Sequence, residues 1–223
     1  MNIPERVKKK REKFRKFLIP RYYNGILHLA LTSFLSFGLG ILCFSAIDNP
    51  VAWQYIMVPI ILILGNLTEY ITHRYPLHNS IKYLSKVYHN HTLIHHFLFS
   101  DKSMEFENVN DYKIALLSPI LISLLVLGLI LPVSSLVYFL TGLNGGLIFA
   151  GTSLIYLGAY EIFHFIYHIP ENNVINHLPL ISFMRRHHTL HHNQAKMQTT
   201  NFNIIFPLFD ILFNTLESSR HSN

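Results

Sequence analysis

A single cysteine, Cys43, stands among 223 residues, so neither a disulfide framework nor a cysteine-based zinc site can form within one chain. Charge is scarce as well. Asp, Glu, Lys and Arg make up 13% of the residues, against about 25% in ordinary soluble domains. Three stretches carry no formal charge at all: residues 25–47, 49–68 and 114–160. A membrane span needs roughly 20 apolar residues to cross ~30 Å of hydrocarbon, so the longest of these runs accommodates two spans and the expected total is four. The chain also lacks HExxH and has no serine or cysteine in a recognisable nucleophile motif, which sets aside the familiar zinc and covalent hydrolases. Its length leaves room for one compact membrane unit and little beyond it.

The basic residues that are present are unevenly placed. Nine of the 18 Lys and Arg lie in residues 1–24, five in 71–113 and four in 171–223. With spans at about 25–47, 50–70, 114–136 and 147–167, all of them fall on one side of the membrane, which the positive-inside rule assigns to the cytoplasm. The other side has only the short links DNP and TGLNGG. The expected fold is therefore all-α integral membrane, multi-pass, with both termini cytoplasmic, in a bacterial inner membrane or the endoplasmic reticulum. Residues 25–223 form the membrane unit, and 71–113 and 168–223 are its cytosolic parts. The start RVKKKREKFRKF is too charged for a cleaved signal peptide. It reads as a retained anchor on anionic headgroups or as a solvated tail. The net charge of +6 does not mark a nucleic-acid binder, because no soluble basic surface goes with it.

Of the 15 histidines, 13 lie in residues 73–96 or 164–192, directly after the second and fourth spans. Topology derived from charge alone thus brings both segments to one face. Four clusters stand out: HRYPLH (His73, His78), HTLIHH (His91, His95, His96), HFIYH (His164, His168) and HTLHH (His188, His191, His192). On a helix, residues four apart differ by about 40° in direction, so His91 with His95, His164 with His168, and His188 with His192 can each share a face. Adjacent histidines differ by about 100°, so His95 and His96 can serve different metals. Pro76 is expected to end a helix between His73 and His78 and let that pair converge. Ten imidazoles exceed one ion's needs, which implies two metals, and neutral imidazole suits Fe, Zn or Cu alike. His89, His177 and His187 lie near the clusters but outside their spacing. His28 reads as interfacial, and His221 lies in the terminal tail.

Two acids mark the ends of spans. Glu69 precedes His73 by four residues and Glu161 precedes His164 by three. An ionisable group at that depth generally has a partner. Each can accept the free ring N–H of a ligand histidine, ligate directly, or sit exposed at the headgroup boundary. Asp210, in the apolar stretch FNIIFPLFDILF, can bond a ligand histidine or cap a helix. That stretch, residues 202–213, reads as an interfacial helix or lid, or as the ordinary packing of a C-terminal helix. Arg185 and Arg186 read as surface charges, as a headgroup clamp, or as a dock for an electron donor.

With these clusters in order, HRYPLH, HTLIHH, EIFHFIYH and HTLHH, and with the ending NFNIIFPLFDILFNT, the chain resembles the integral-membrane fatty acid hydroxylase and sterol desaturase superfamily over residues 66–215. The resemblance implies four transmembrane helices with a cytosolic helical cap carrying the histidine boxes. It implies two Fe ions held by the ten clustered histidines, with zinc possible in isolated protein, and O2 as co-substrate for oxidising an unactivated C–H of a membrane lipid. Hydroxylation is the expected reaction and desaturation the alternative within the superfamily. His89 and His187 add imidazoles beside two boxes. No fused haem domain is visible, so electrons are expected from a separate small haem protein or ferredoxin with its reductase. A membrane metal-binding or transport protein is the rival class, and the span midplanes, which hold no His or acid, count against it.

Overall fold

The computed structural model describes residue 3 and residues 5–217; His221 lies outside them. Among the described residues the ordered elements are all helical. We label the main ones α1 (Glu5–Leu18), α2 (Gly25–Ser45), α3 (Ala52–Leu77), α4 (residues 85–98), α5 (Val109–Thr141), α6 (Leu143–Tyr167), α7 (Pro179–His191) and α8 (Leu208–Leu212). By length and composition α2, α3, α5 and α6 can each cross a membrane, as the charge-free runs lead one to expect. Large apolar side chains such as Ile26, Ile41, Ile63 and Leu127 face outward on them, which suits hydrocarbon and would be costly in water. The chain is thus a membrane protein.

Two boundaries differ from expectation. The second span does not stop near residue 70; it continues to Leu77 through Pro76 in a widened, π-type turn over His73–Leu77. A turn with i→i+5 bonding relaxes the crowding that a proline imposes on an ordinary α-turn. The third begins earlier, at Val109, and is interrupted at residues 116–118 before restarting at Pro119, with the Ser118 side chain capping Pro119–Leu125. The N–H of Leu117 at the break is received by Glu161 at 3.0 Å.

The chain packs as two units. Among the described residues, one holds those up to Gly25, Asn66–Ala115 and residues 163–217; the other holds Ile26–Gly65 and Leu116–Ile162. In the first, Glu5–Leu18 is no loose tail but a largely exposed helix docked along one face. Helix α1 buries Arg11 completely and sets Phe14 against a core of Leu98, Phe99 and Ile114. A second core joins Tyr70, Phe202 and Phe209. In the other unit, α2 and α6 run antiparallel and close. Gly40 faces Ile155, Gly151 faces Phe44, and Gly158 faces Phe37. Small residues of this kind let membrane helices approach where hydrophobic attraction gives little drive. The links between spans are tied to each other, with Asp48 O accepting Asn144 Nδ2 at 2.6 Å.

A Cβ on Gly40 would stand 2.8 Å from Ile155 and 3.2 Å from the carbonyl of Gly151, whereas one on Gly128 meets nothing within 4 Å. Gly40→Val should therefore destabilise the protein by ~1–3 kcal/mol through overpacking, and Gly128→Val by much less. Thermal unfolding of the two detergent-solubilised variants, side by side, checks the contrast.

Candidate metal centre

The histidines resolve into two groups of five, all buried: His73, His78, His91, His96 and His191, and His95, His164, His168, His188 and His192. Within each group one ring nitrogen per residue lies within 4.8 Å of all the others. All ten residues nominated from sequence are thus brought together, and the predicted separation of His95 from His96 is present. The pairing of His91 with His95 is not. Residues 89–95 form a second π-type turn, in which residues five apart, not four, come to one face. His91 accordingly joins His96, and His73 joins His78 across the first such turn. Proline therefore does not end that helix to bring its histidines together; the wider turn does. In the regular helical segments the four-residue rule holds, for His164 with His168 and for His188 with His192.

The second ring nitrogens explain the orientation. Nδ1 of His73 bonds the carbonyl of Phe202, and Nδ1 of His191 that of Thr200 at 2.8 Å. In the other group Nδ1 of His164, His168 and His192 meets the carbonyls of Ala115, Met104 and Phe99 at 3.2, 2.7 and 2.5 Å. A carbonyl only accepts, so each of these nitrogens carries the proton and leaves Nε2 as a bare lone pair. His78 follows by one further step. Its Nδ1 lies 3.2 Å from Thr92 Oγ1, whose own hydroxyl proton is given to Leu77 O at 2.6 Å, so the imidazole is the donor.

Six bare nitrogens therefore point inward, three in each group. His78 Nε2 and His191 Nε2 face each other at 3.0 Å, and with both lone pairs exposed this is a repulsion unless a cation lies between them. Similar approaches occur between His73 and His91 at 3.0 Å and between His164 and His95 at 3.2 Å. For metal–nitrogen bonds of ~2.1 Å, ligands at right angles lie ~3.0 Å apart and opposite ones ~4.2 Å. The residues of each group fit a metal ion, which five converging imidazole nitrogens would hold. Structural zinc prefers four ligands in a closed tetrahedron.

Protons do not substitute for the cations. Burial is the largest cause in every case, and with neighbouring imidazoles it holds His91, His95, His96, His168, His188 and His191 well below their ordinary range. His78 is brought down to about 2 and His192 to about 3. Nδ1 of His95, His96 and His188 is buried without a hydrogen-bond partner. Packing holds these rings, as in the stack of His96 on His192 at 4.2 Å.

The acids take other positions than the sequence proposed. Glu69 accepts the N–H of Ile204 and lies 3.4 Å from that of Ile205. Asp210 accepts Phe202 N and Asn203 N, each at 2.8 Å, and Thr215 Oγ1 at 2.7 Å. Burial alone would raise the Asp210 carboxyl, but His187 and these N–H groups outweigh it and hold it below its usual range. Both acids thus fasten residues 202–205, which carry the carbonyl bonded by His73. A backbone N–H is the better partner for them because the irregular backbone after residue 200 has no helix or ladder to take up its N–H groups. Glu161 caps the break in α5, with the N–H of Leu117 as its partner. The stretch 202–213 is no continuous interfacial helix. Only Leu208–Leu212 is helical, and Phe202, Asn203 and Ile204 are wholly buried.

Of the remaining candidates, His187 stands apart from both groups with Nε2 3.2 Å from Asp210, and His89 and His177 are exposed. His28 lies 3.0 Å from Leu117 O. Arg185 donates to Ile169 O at 2.8 Å and Arg186 to Ser182. Sequence reasoning missed Thr92, Asn203 and the five carbonyls. Carbonyls leave no trace in residue identity. Thr92 inside HTLIHH and the paired Asn203 and Asp210 in the chain's ending were the available signals.

The profile of the family described as Fatty acid hydroxylase matches residues 58–215. The chain belongs to this family. Comparison with curated proteins finds no match, and comparison with solved structures finds none either.

Because the folded chain refuses protons that the unfolded chain accepts below about pH 6.5, stability from these neutral imidazoles is full above that pH. It is lost as pH falls toward the folded values, at about 1.4 kcal/mol per affected histidine per pH unit. Chelator-treated protein should melt well below its pH 7.5 midpoint when scanned at pH 5.5; equal midpoints would contradict the neutral, buried assignment.

Proposed function

We propose that this protein is a membrane-bound di-iron oxygenase that hydroxylates a C–H bond of a lipid, working at the cytosolic face with electrons from a separate small haem protein or ferredoxin. The observation that carries the reading is the convergence of bare Nε2 atoms in two buried groups of five. The family match adds the reaction class. Iron is favoured over zinc because five nitrogens in each group exceed the closed set of four that zinc usually takes. When bound, the ions supply the activation of dioxygen that a protein side chain cannot provide.

The chain's own part is orientation and exclusion of water. Carbonyls of Phe202, Thr200, Ala115, Met104 and Phe99 fix the tautomers and aim Nε2 inward. Such partners of ligand imidazoles typically alter metal affinity 10–100-fold when removed. The ten imidazoles are buried, which shields a reactive centre from bulk solvent. Apolar span surfaces support delivery of an acyl, sterol, sphingoid or carotenoid substrate from the bilayer itself. Placement of the histidine segments in a cytosolic cap rests on the distribution of Lys and Arg. Metal transport fits less well, because a transported ion needs an exit and these ligands enclose it.

Elemental analysis of detergent-extracted protein should find close to two irons per chain, and cells producing it should accumulate lipids one oxygen atom heavier. His95→Ala or His191→Ala should abolish that product while leaving membrane insertion intact. One stable metal per chain with no O2 consumption on reduction would refute the assignment.

A further inference from the structure

Arg11 belongs to the basic start of the chain, yet its side chain is 0% exposed. Its guanidinium makes four bonds to three carbonyls: Nε and Nη2 to Leu98 O at 3.1 and 2.9 Å, Nη2 to Ser103 O at 2.5 Å, and Nη1 to Glu105 O at 2.7 Å. It lies 4.4 Å over the ring of Phe99, with the Glu107 carboxylate 3.7 Å away. One turn later Arg15 binds Asp111 at 2.7 Å and Glu107 at 2.9 Å. Helix α1 therefore grips residues 98–111 at several points.

Inside the gripped stretch lie the carbonyls of Phe99 and Met104, which receive Nδ1–H of His192 and His168. The Phe99 ring also packs on His95 and His168, with centroids 5.5 and 4.8 Å away. All three histidines belong to the second group of five. The first group takes its carbonyls from Thr200 and Phe202, on a segment that Arg11 does not bond.

We infer that Arg11 is a positioning residue for the second metal site alone, holding the 98–105 loop so that its carbonyls fix His168 and His192. Only a planar fork of donors satisfies several divergent carbonyls at once; a lysine ammonium is a point charge on a flexible stem. The inference rests on the two-ion reading and concerns which ion Arg11 secures.

The test uses full-length, iron-loaded protein in detergent, with iron content and release to a chelator as readouts. Arg11→Met should retain about one iron per chain. Combining it with His168→Ala should leave that number near one, and combining it with His191→Ala should bring it near zero. Arg11→Lys, which keeps the buried charge, should hold about two irons but release one of them 10–100-fold faster than wild type. Retention of both ions by Arg11→Met, or equal loss of both, overturns the inference. Should Arg11→Met fail to accumulate, unaltered or equally accelerated release from Arg11→Lys overturns it instead. Wild-type protein with fewer than two irons would defeat the two-ion reading itself, a separate result.

Discussion

Much of this structure depends on one small interaction, an imidazole Nδ1–H given to a backbone carbonyl. A neutral imidazole has one donor and one acceptor nitrogen, and which is which depends on its surroundings. Five carbonyls fix that choice here, and Thr92 fixes a sixth because its own proton is already given to Leu77. Once Nδ1 is committed, each Nε2 is an acceptor with no proton of its own. Packing then brings these acceptors together in the dry interior, an arrangement that would be expelled from any fold unless a cation repaid it.

The carbonyls come from irregular segments, and irregular backbone must be held by something. Residues 200–206 are fastened by side chains that replace a missing ladder. Asn203 Oδ1 accepts the N–H groups of Phe209 and Asp210, while its Nδ2 donates to Asn66 O at 3.0 Å. Tyr167 donates to Ile204 O at 2.8 Å, and Asn201 links His187 O to Glu217. Two positive-φ asparagines turn the chain, Asn201 within this segment and Asn214 after the short helix that follows it, a role that asparagine tolerates better than most residues. Burying so much polar backbone is acceptable only when it is fully bonded. The dense Asn, Asp and Glu content of an otherwise apolar ending follows from that requirement.

The spans and the ten histidines were legible because both are repeated, composition-level signals: charge-free runs of sufficient length, and four clusters falling beside them. The pairing of histidines was half legible. His164 with His168, and His188 with His192, obey α-helical geometry, so a four-residue step predicts them. His73 with His78, and His91 with His96, are five apart and need a π-type turn, which no residue type announces. Pro76 marked a disturbance at the right place, but the chain absorbs it by widening the helix where sequence reasoning ended it. Glu69 and Glu161 drew attention as costly charges near span ends, and both are bonded, though to N–H groups freed by broken backbone. Arg11 was hidden among eight other basic residues of the same segment. Its burial depends on loop 98–105, some 90 positions away in sequence, and nothing local encodes that.

The choice of neutral ligands has an electrostatic consequence. Ten imidazoles would leave the whole charge of bound metal ions uncompensated by the ligands, whereas carboxylate ligands would cancel part of it. What surrounds them is a layer of carbonyl oxygens pointing toward the rings, and their dipoles favour positive charge inside. The carboxylates of Glu69 and Asp210 stand beyond that layer, and their charge is shared with backbone N–H groups that carry Phe202. Negative charge of these two side chains is therefore spent largely on backbone N–H groups. A carboxylate taking a ring proton would make its imidazole a stronger donor and draw charge inward; a carbonyl in the same place does so less. Metal ions held in the two groups would thus keep most of their positive charge in a buried setting.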